Sequence, residues 1–245
     1  MRVIKLGGSL LDDATRRAQV LRGIAKAWKS GEEIVIVHGG GKHIDTMLRR
    51  LGIEKKTHAG LRITDDTTLE IVVAVLGGTV NKMLVSELAK MGVKAAGISG
   101  SDGGTLSADR HPHVDDVDLG NVGRVRRSDP MLIRSMLGAG FLPVVSSVAA
   151  GPRGTLLNVN ADSAAAAIAA GLNATSLVFL TDVAGLLDGK GEVVPSLDAD
   201  DARAMLASDI VTGGMRPKLE AALQALASGV ASIRIGEGGT SLVAA

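Results

Sequence analysis

Val3-Ile4-Lys5-Leu6-Gly7-Gly8 and Ile34-Val35-Ile36-Val37-His38-Gly39-Gly40-Gly41 are the two stretches that decide the fold. Each is a short run of mainly apolar residues that stops on glycines. A segment with helical spacing follows each. Asp12–Ser30 sets Leu11, Ala14, Ala18, Leu21, Ile24, Ala25 and Trp28 on one predicted face, and Lys42–Leu51 is the second predicted helix. A strand that ends on glycine and feeds a helix is the opening half of a βαβ unit.

The same alternation continues outward. Asp65-Asp66 opens a helical pattern that runs to Met91, with a break near Gly77-Gly78. Val93–Ile98 reads as a strand, Ser128-Asp129-Pro130 as a helix start, and Leu142–Val145 as a further strand. Ala161–Ala170 is helical by propensity, Leu177–Leu180 is a strand, Met215–Ser228 is the last helix and Ile233–Ile235 the last strand. Strands of this length between helices predict an α/β fold with a mainly parallel, buried central sheet. Ser99–Arg127, rich in Gly, Asp and His, reads as loops or a hairpin excursion. A boundary near Leu156 would divide the chain into lobes at 1–155 and 156–245.

Composition excludes several classes of function. The 245 residues carry 27 Lys and Arg against 26 Asp and Glu, so no basic excess marks a nucleic-acid binder. Aromatic residues are 1% of the chain, too few for base-stacking platforms. With no cysteine there is no disulfide, thiolate metal site or thiol nucleophile. No stretch approaches the roughly 18 uninterrupted apolar residues of a membrane span. The first residues lack a signal-peptide pattern, since Asp12 and Asp13 cut the apolar stretch short. The reading is a soluble cytoplasmic protein with no membrane and no nucleic-acid partner.

Where the glycines and cations fall suggests anion chemistry. Ligands of open α/β sheets bind beyond the carboxyl ends of the strands. Gly7-Gly8 and Gly39-Gly40-Gly41 sit at two such ends, where bare backbone and a helix N-terminus can receive a phosphate. Neither G-x-x-x-x-G-K-[ST] nor G-x-G-x-x-G occurs, so any nucleotide is held by other means. Lys5 interrupts an apolar strand; it either snorkels out or aims its ammonium at an anion. Lys218 opposes the dipole of its helix start unless an anion is near. Asn158, Asn160 and Asp162 are either caps for the Ala-rich helix or polar groups gathered at its mouth. Arg62 can grip a carboxylate with its fork or cap a neighbouring helix. The His-Asp run from His111 to Asp118 matches no standard metal spacing and reads as a solvated loop. Arg49-Arg50, Lys55-Lys56 and Arg124 to Arg127 read as exposed faces.

Together these residues resemble a known family. VIKLGGSLL, IVIVHGGGKHID, GLRITD, VNKMLVSEL, GISGSDGG, GFLPVVSSV, LNVNADSAAAAIAAGL, LVFLTDVAGLLD and GGMRPKLEAAL occur in the order of the amino-acid kinase superfamily, and within it resemble the N-acetyl-L-glutamate kinases. The resemblance implies a three-layer α-β-α sandwich of the amino-acid kinase and carbamate kinase type. It implies phosphorylation of the side-chain carboxylate of N-acetyl-L-glutamate by ATP, with Mg²⁺ held through the ATP phosphates and no dedicated protein metal cage. Carried over residue by residue, Lys5 and Lys218 would flank the phosphoryl group and Asp162 would orient both. Gly8, Gly40 and Gly41 would offer N–H groups, while Arg62 and Asn158, with Asn160 close by, would hold the acid. Asp182, Val183, Gly185, Leu186 and Leu187, with Ile210, Val211 and Thr212, would wrap the nucleotide. Residues 1–155 would bind the acyl substrate and dimerise, and residues 156–245 would bind the nucleotide.

Two departures from the family pattern stand out. The segment after Val230 is short, without the histidine-bearing helix that usually precedes the closing glycine-threonine, which would alter the last strand's edge. The chain starts almost at the first strand, without the extra N-terminal helix of arginine-inhibited hexamers, so a homodimer without arginine feedback is expected. Three other readings compete: a kinase for carrier-protein-bound glutamate or aminoadipate, a kinase for another acid, and a non-catalytic ATP-binding sensor. GLRIT with NVNAD disfavours the second, and two costly lysines beside Asp162 disfavour the third.

Overall fold

The computed structural model describes residues 1–181, 183–208, 210–211 and 213–243. In chain order the first half contains β1 (Arg2–Leu6), α1 (Ser9–Asp12), α2 (Ala14–Lys29), β2 (Ile34–His38), α3 (Gly41–Arg50), the short strands β3 (Thr57–His58) and β4 (Leu61–Arg62), and α4 (Asp66–Val73). A π-helical stretch, Ala74–Val80, joins α4 to α5 (Asn81–Lys90). Then come β5 (Ala95–Ser99), β6 (Leu106–Arg110), β7 (Val122–Ser128), α6 (Met131–Gly138), β8 (Leu142–Ser146), β9 (Val148–Ala150) and β10 (Leu156–Val159). The rest is α7 (Ala161–Leu172), β11 (Ser176–Leu180), β12 (Ser196–Leu197), α8 (Ala199–Ala207), α9 (Met215–Ala227), β13 (Ser232–Ile235) and β14 (Thr240–Val243).

Strand alternation builds the layers. Successive side chains point to opposite faces of a sheet. Val3, Val35 and Val37 therefore enter one core with the apolar residues of α7 and α9, while Ile4, Leu6, Ile34 and Ile36 enter a second with α2, α3 and the helices from α4 to α5. One sheet with a core on each face is the three-layer α-β-α sandwich. The sheet has eight strands in the order β12-β14-β13-β11-β1-β2-β8-β5. Every neighbouring pair is parallel except β13 and β14, so the sheet is mainly parallel as expected. Lys5 shares the face of Val3 and so looks toward α7 and α9.

Several elements differ from the sequence reading. The helix expected from Asp12 begins twice, because Asp13 caps α2 by accepting from the N–H groups of Thr15 and Arg16 at 2.9 and 3.0 Å. On α2 the buried stripe includes Arg17, which forks onto Glu87 of α5 with its closest approach at 2.8 Å, so a charged pair takes part of the face assigned to alanines. Ser99–Arg127 holds the hairpin β6–β7, which closes with β9 and β10 into a four-stranded barrel. Leu106, Ala108, Leu157 and Val159 fill it, with Gly123 facing inward and Val125 packed beside them, and the arginines of β7 hide its alternation in the sequence. The expected closing strand is a hairpin, β13–β14, and β14 also pairs with β12.

The break near Gly77-Gly78 is the π-helical stretch, so the helical path continues without interruption from Asp66 to Lys90. That run is long and apolar enough in composition to cross a membrane. It also carries Glu70, Lys82 and Glu87 and buries Val72, Leu76, Val80, Leu84 and Leu88 against the sheet, which are the marks of a core helix.

Two glycines give opposite predictions. A Cβ at Gly97 would overlap the Asn81 side-chain oxygen, so Gly97→Ala should destabilise the fold by about 2–3 kcal/mol. A Cβ at Gly23, inside α2, meets nothing within 4 Å, so Gly23→Ala should stabilise it by about 0.5–1 kcal/mol. Urea unfolding of both variants checks the signs.

Candidate active site

Lys5 reaches its site because its neighbour has no side chain. A Cβ at Gly7 would occupy the place of the Lys5 ammonium. The ammonium instead curls over Gly7 and meets the Asp162 carboxylate at 2.9 Å. Asp162 lies in the first turn of α7, where the helix dipole favours a negative charge. From the first turns of α9, Lys218 reaches the other carboxylate oxygen at 3.1 Å and also stands 5.7 Å from the centre of the Phe179 ring. Exposure is 7% for Lys5, 5% for Asp162 and 6% for Lys218. Two lysines far apart in sequence thus converge on one buried carboxylate, and the three groups sum to one positive charge. Burial pushes the Asp162 carboxyl up, but Lys5 and Lys218 outweigh it and hold the group below the usual carboxylate range.

The glycine turns flank this trio. Gly8 has φ 56°, in the left-handed region that suits glycine. Gly40 precedes α3, which has no side-chain cap on its first N–H groups. A Cβ there would lie 2.8 Å from Leu76 and 3.1 Å from Val80, so the π-helical stretch packs directly on this turn. A Cβ at Gly39 would lie 3.2 Å from that of Ala161, which places the turn against the start of α7. Gly41 faces open space. Among the described residues the start of α9, at Gly214, also has no side-chain cap. By contrast, Asn160 caps α7, accepting from the N–H groups of Asp162 at 2.8 Å and Ser163 at 3.1 Å. Its side-chain oxygen therefore serves the helix, although the residue lines the cleft described below.

Arg62 is mostly buried on β4 and forks toward α3. Its Nη2 pairs with Asp45 and donates to the Gly41 carbonyl at 3.3 Å, while Nη1 is buried and has no partner among the described residues. Lys55 meets Asp45 at 2.8 Å. Burial raises the Asp45 carboxyl and the two cations more than offset it, so it stays ionised. Asn158 on β10 donates to Thr64 Oγ1 at 3.2 Å, and Thr64 Oγ1 donates to the Arg62 carbonyl at 2.9 Å. One chain of hydrogen bonds thus links Asn158 to the strand of Arg62. A cleft of about 850 Å³ lies next to this region, walled by the β3–β4 turn at Gly60, by Gly123 and Arg124 of β7, and by Ser163 and Pro217 at the starts of α7 and α9; Asn160 lines it, whereas Lys5, Asp162, Lys218, Arg62 and Asn158 do not.

The segments expected to wrap a nucleotide divide by burial. Val183, Leu187 and Ile210 are exposed apolar side chains. Leu186 and Val211 are buried in the core and hold their loops from beneath. Leu186 N–H donates to Thr240 Oγ1 at 2.8 Å, and a Cβ at Gly185 would lie 2.8 Å from that same oxygen. Asp182 and Thr212 lie outside the described residues. Among the described residues no group of three or more His, Asp or Glu side chains could hold a metal ion. Sequence reasoning missed His38 and Asn81, both fully buried beside Gly39. The available signals were a histidine closing an apolar strand and an asparagine inside an apolar helix.

This sandwich, with lysines from its first strand and a late helix meeting on one buried carboxylate beside glycine turns, is an α/β architecture of the kind that handles phosphate. The chain belongs to the amino acid kinase family, whose model matches residues 1–237. It is 43% identical to the acetylglutamate kinase of Methanopyrus kandleri over 94% of this chain and 92% of that one. Among solved structures it is similar to smu.665 from Streptococcus mutans, with 29% identity, a TM-score of 0.88, and 99% and 98% of the two chains covered. It also shares the fold of the carbamate kinase from Giardia, at 14% identity, a TM-score of 0.75, and coverage of 100% and 99%.

The buried carboxylate predicts an acid limb of stability. Its folded pKa is depressed, so its contribution is complete above the unfolded value of about 3.9 and is lost as pH falls through the lower folded value. The stability difference between the wild type and Asp162→Asn should therefore shrink as pH drops below about 4, which denaturant melts at stepped pH would measure.

Proposed function

We propose that this chain transfers the γ-phosphoryl group of ATP to the side-chain carboxylate of N-acetyl-L-glutamate, giving ADP and N-acetyl-L-glutamyl 5-phosphate, a step of arginine biosynthesis in the cytoplasm. The observation that carries the reading is the meeting of Lys5 and Lys218 on Asp162. The acceptor carboxylate is already ionised at neutral pH and needs no general base. Catalysis then rests on position and charge. Lys5 and Lys218 balance negative charge on the moving phosphoryl group from two sides, and Asp162 keeps both aimed without joining the chemistry. Gly8, Gly40 and Gly41 supply N–H groups close to it. The mostly buried guanidinium of Arg62 and the amide of Asn158 hold the carboxylate end of the acid.

The uncapped starts of α3 and α9 suit phosphate oxygens, so the residues present fit ATP. Without a cluster of carboxylates among the described residues, Mg²⁺ would ride on the ATP phosphates and water. When bound it offsets charge on the β- and γ-phosphates. The nucleotide belongs on the side of β11 to β14, against the exposed Val183, Leu187 and Ile210, and the acid on the side of β2, β8 and β5. On this reading residues 1–155 would bind the acid and form the homodimer, and residues 156–245 would bind the nucleotide.

One observation favours a second acceptor. Arg124 lines the cleft, and Arg126 and Arg127 are exposed on the same strand. Such a rim suits an acidic carrier protein presenting bound glutamate or aminoadipate. Relative turnover on free N-acetyl-L-glutamate and on a carrier-bound acid separates the two.

An ADP-release assay across a panel of acids, with hydroxylamine to trap acyl phosphate, tests the reading directly. ADP release and hydroxamate only with N-acetyl-L-glutamate are expected, and ADP release with no hydroxamate would remove the acyl phosphate. Lys218→Met should lower kcat by roughly 10²–10³-fold at an unchanged fold, as read by steady-state kinetics and circular dichroism. Arg62→Ala should raise the KM for the acid at least tenfold and leave that for ATP within about twofold. An effect confined to ATP would reverse the assignment of the two ends.

A further inference from the structure

β2 closes on a fully buried histidine next to the glycine turn. His38 Nδ1 lies 2.9 Å from the Gly39 carbonyl oxygen, and Nε2 lies 3.1 Å from Asn81 Nδ2. The orientation of the Asn81 amide is decided by other partners. Its nitrogen sits 2.9 Å from the Val144 carbonyl and 3.3 Å from that of Ile98, while its oxygen accepts from Lys82 Nζ at 3.1 Å. The end facing His38 is therefore the NH₂ donor, and Nε2 must be an acceptor. That leaves the ring proton on Nδ1, where it donates to the Gly39 carbonyl.

The peptide plane carries this outward. In a trans peptide the C=O and N–H point in opposite directions, and the chain has no cis bonds. Drawing the Gly39 oxygen toward the interior turns the Gly40 N–H away from it. Among the described residues that N–H has no acceptor, whereas the Gly39 N–H is bound to the Leu6 carbonyl at 3.4 Å. The Gly40 carbonyl accepts from Ile44 at 3.0 Å and starts α3.

We infer that His38, with its proton placed by Asn81, is a positioning residue for phosphoryl transfer that locks the Gly39–Gly40 peptide with the Gly40 N–H facing the crevice. The inference rests on the kinase reading above and adds two residues that do not touch substrate. Burial takes the His38 pKa down to about 4, with the Gly39 hydrogen bond opposing this and Lys82 of α5 and His43 of α3 lowering it further, so the ring is neutral at working pH. Gly97 is part of the device, since any larger residue would displace the Asn81 oxygen.

Three variants and one spectrum test it. In His38→Asn the amide nitrogen takes the place of Nδ1 and should keep kcat within about threefold. His38→Gln places its amide where Nε2 was and should lose roughly 10–100-fold in kcat with little change in thermal midpoint. Asn81→Asp presents an acceptor to Nε2 and so leaves a neutral ring with no proton toward Gly39. Its kcat should fall at neutral pH and recover as acid charges the ring, while the wild type stays flat from about pH 6 to 9. Ring ¹⁵N NMR of the ligand-free wild type should show the Nδ1–H tautomer, a readout that needs no turnover. An Nε2–H tautomer there, or full kcat in folded His38→Gln, overturns the inference and leaves the kinase reading standing. A wild type that releases ADP with no acid at all overturns that reading and the inference with it.

Discussion

Two ammonium groups sharing one carboxylate inside the protein is the constraint on which the rest depends. Charges are costly to bury, and a lone buried lysine would lose its proton. Asp162 lowers that cost for both Lys5 and Lys218, and the dipole of α7 lowers it for Asp162. Cations fixed in a place with little water act strongly on any charge beside them, which is why the proposed phosphoryl transfer is assigned to this trio.

Holding that trio requires three separate parts of the chain. β1 fixes Lys5 by its register between β2 and β11, and the missing side chain at Gly7 gives its ammonium room. Asn160 fixes the first turn of α7. α9 brings Lys218 because its apolar residues pack in the same core as those of α7. The glycine turn of β2 is wedged between the start of α7 and the π-helical stretch, so its amides are set by packing as much as by their own flexibility. Rigid elements on all sides suit a reaction in which position replaces acid–base chemistry.

The π-helical stretch ties the second core to the site. The extra residue in its turn shifts the helix so that Leu76 and Val80 press on Gly40 and Asn81 faces His38. Lys82 then reaches the edge strand β5 through the Gly97 carbonyl at 3.0 Å. A helix that looks in sequence like simple core packing thereby supports the glycine turn that follows β2.

Alternation and turn chemistry are local properties, so the α/β class, the two glycine-ended strands and the residue types for an anion site could be read from the residues alone. Lys5, Asp162 and Lys218 were legible as cations and a carboxylate in costly places, and the order of the motifs related them to a family. Asn160 remained ambiguous between cap and ligand until its oxygen was seen on the α7 backbone. The barrel of β6, β7, β9 and β10 stayed hidden because the outward arginines of β7 mask its inward alternation. That Lys5 and Lys218, 213 positions apart, meet on a shared carboxylate follows from the folded packing of β1, α7 and α9. Only the tertiary structure could show which nitrogen of His38 meets which partner. Pairing across such distances depends on which faces of the sheet the helices cover, and no local pattern of residues encodes that.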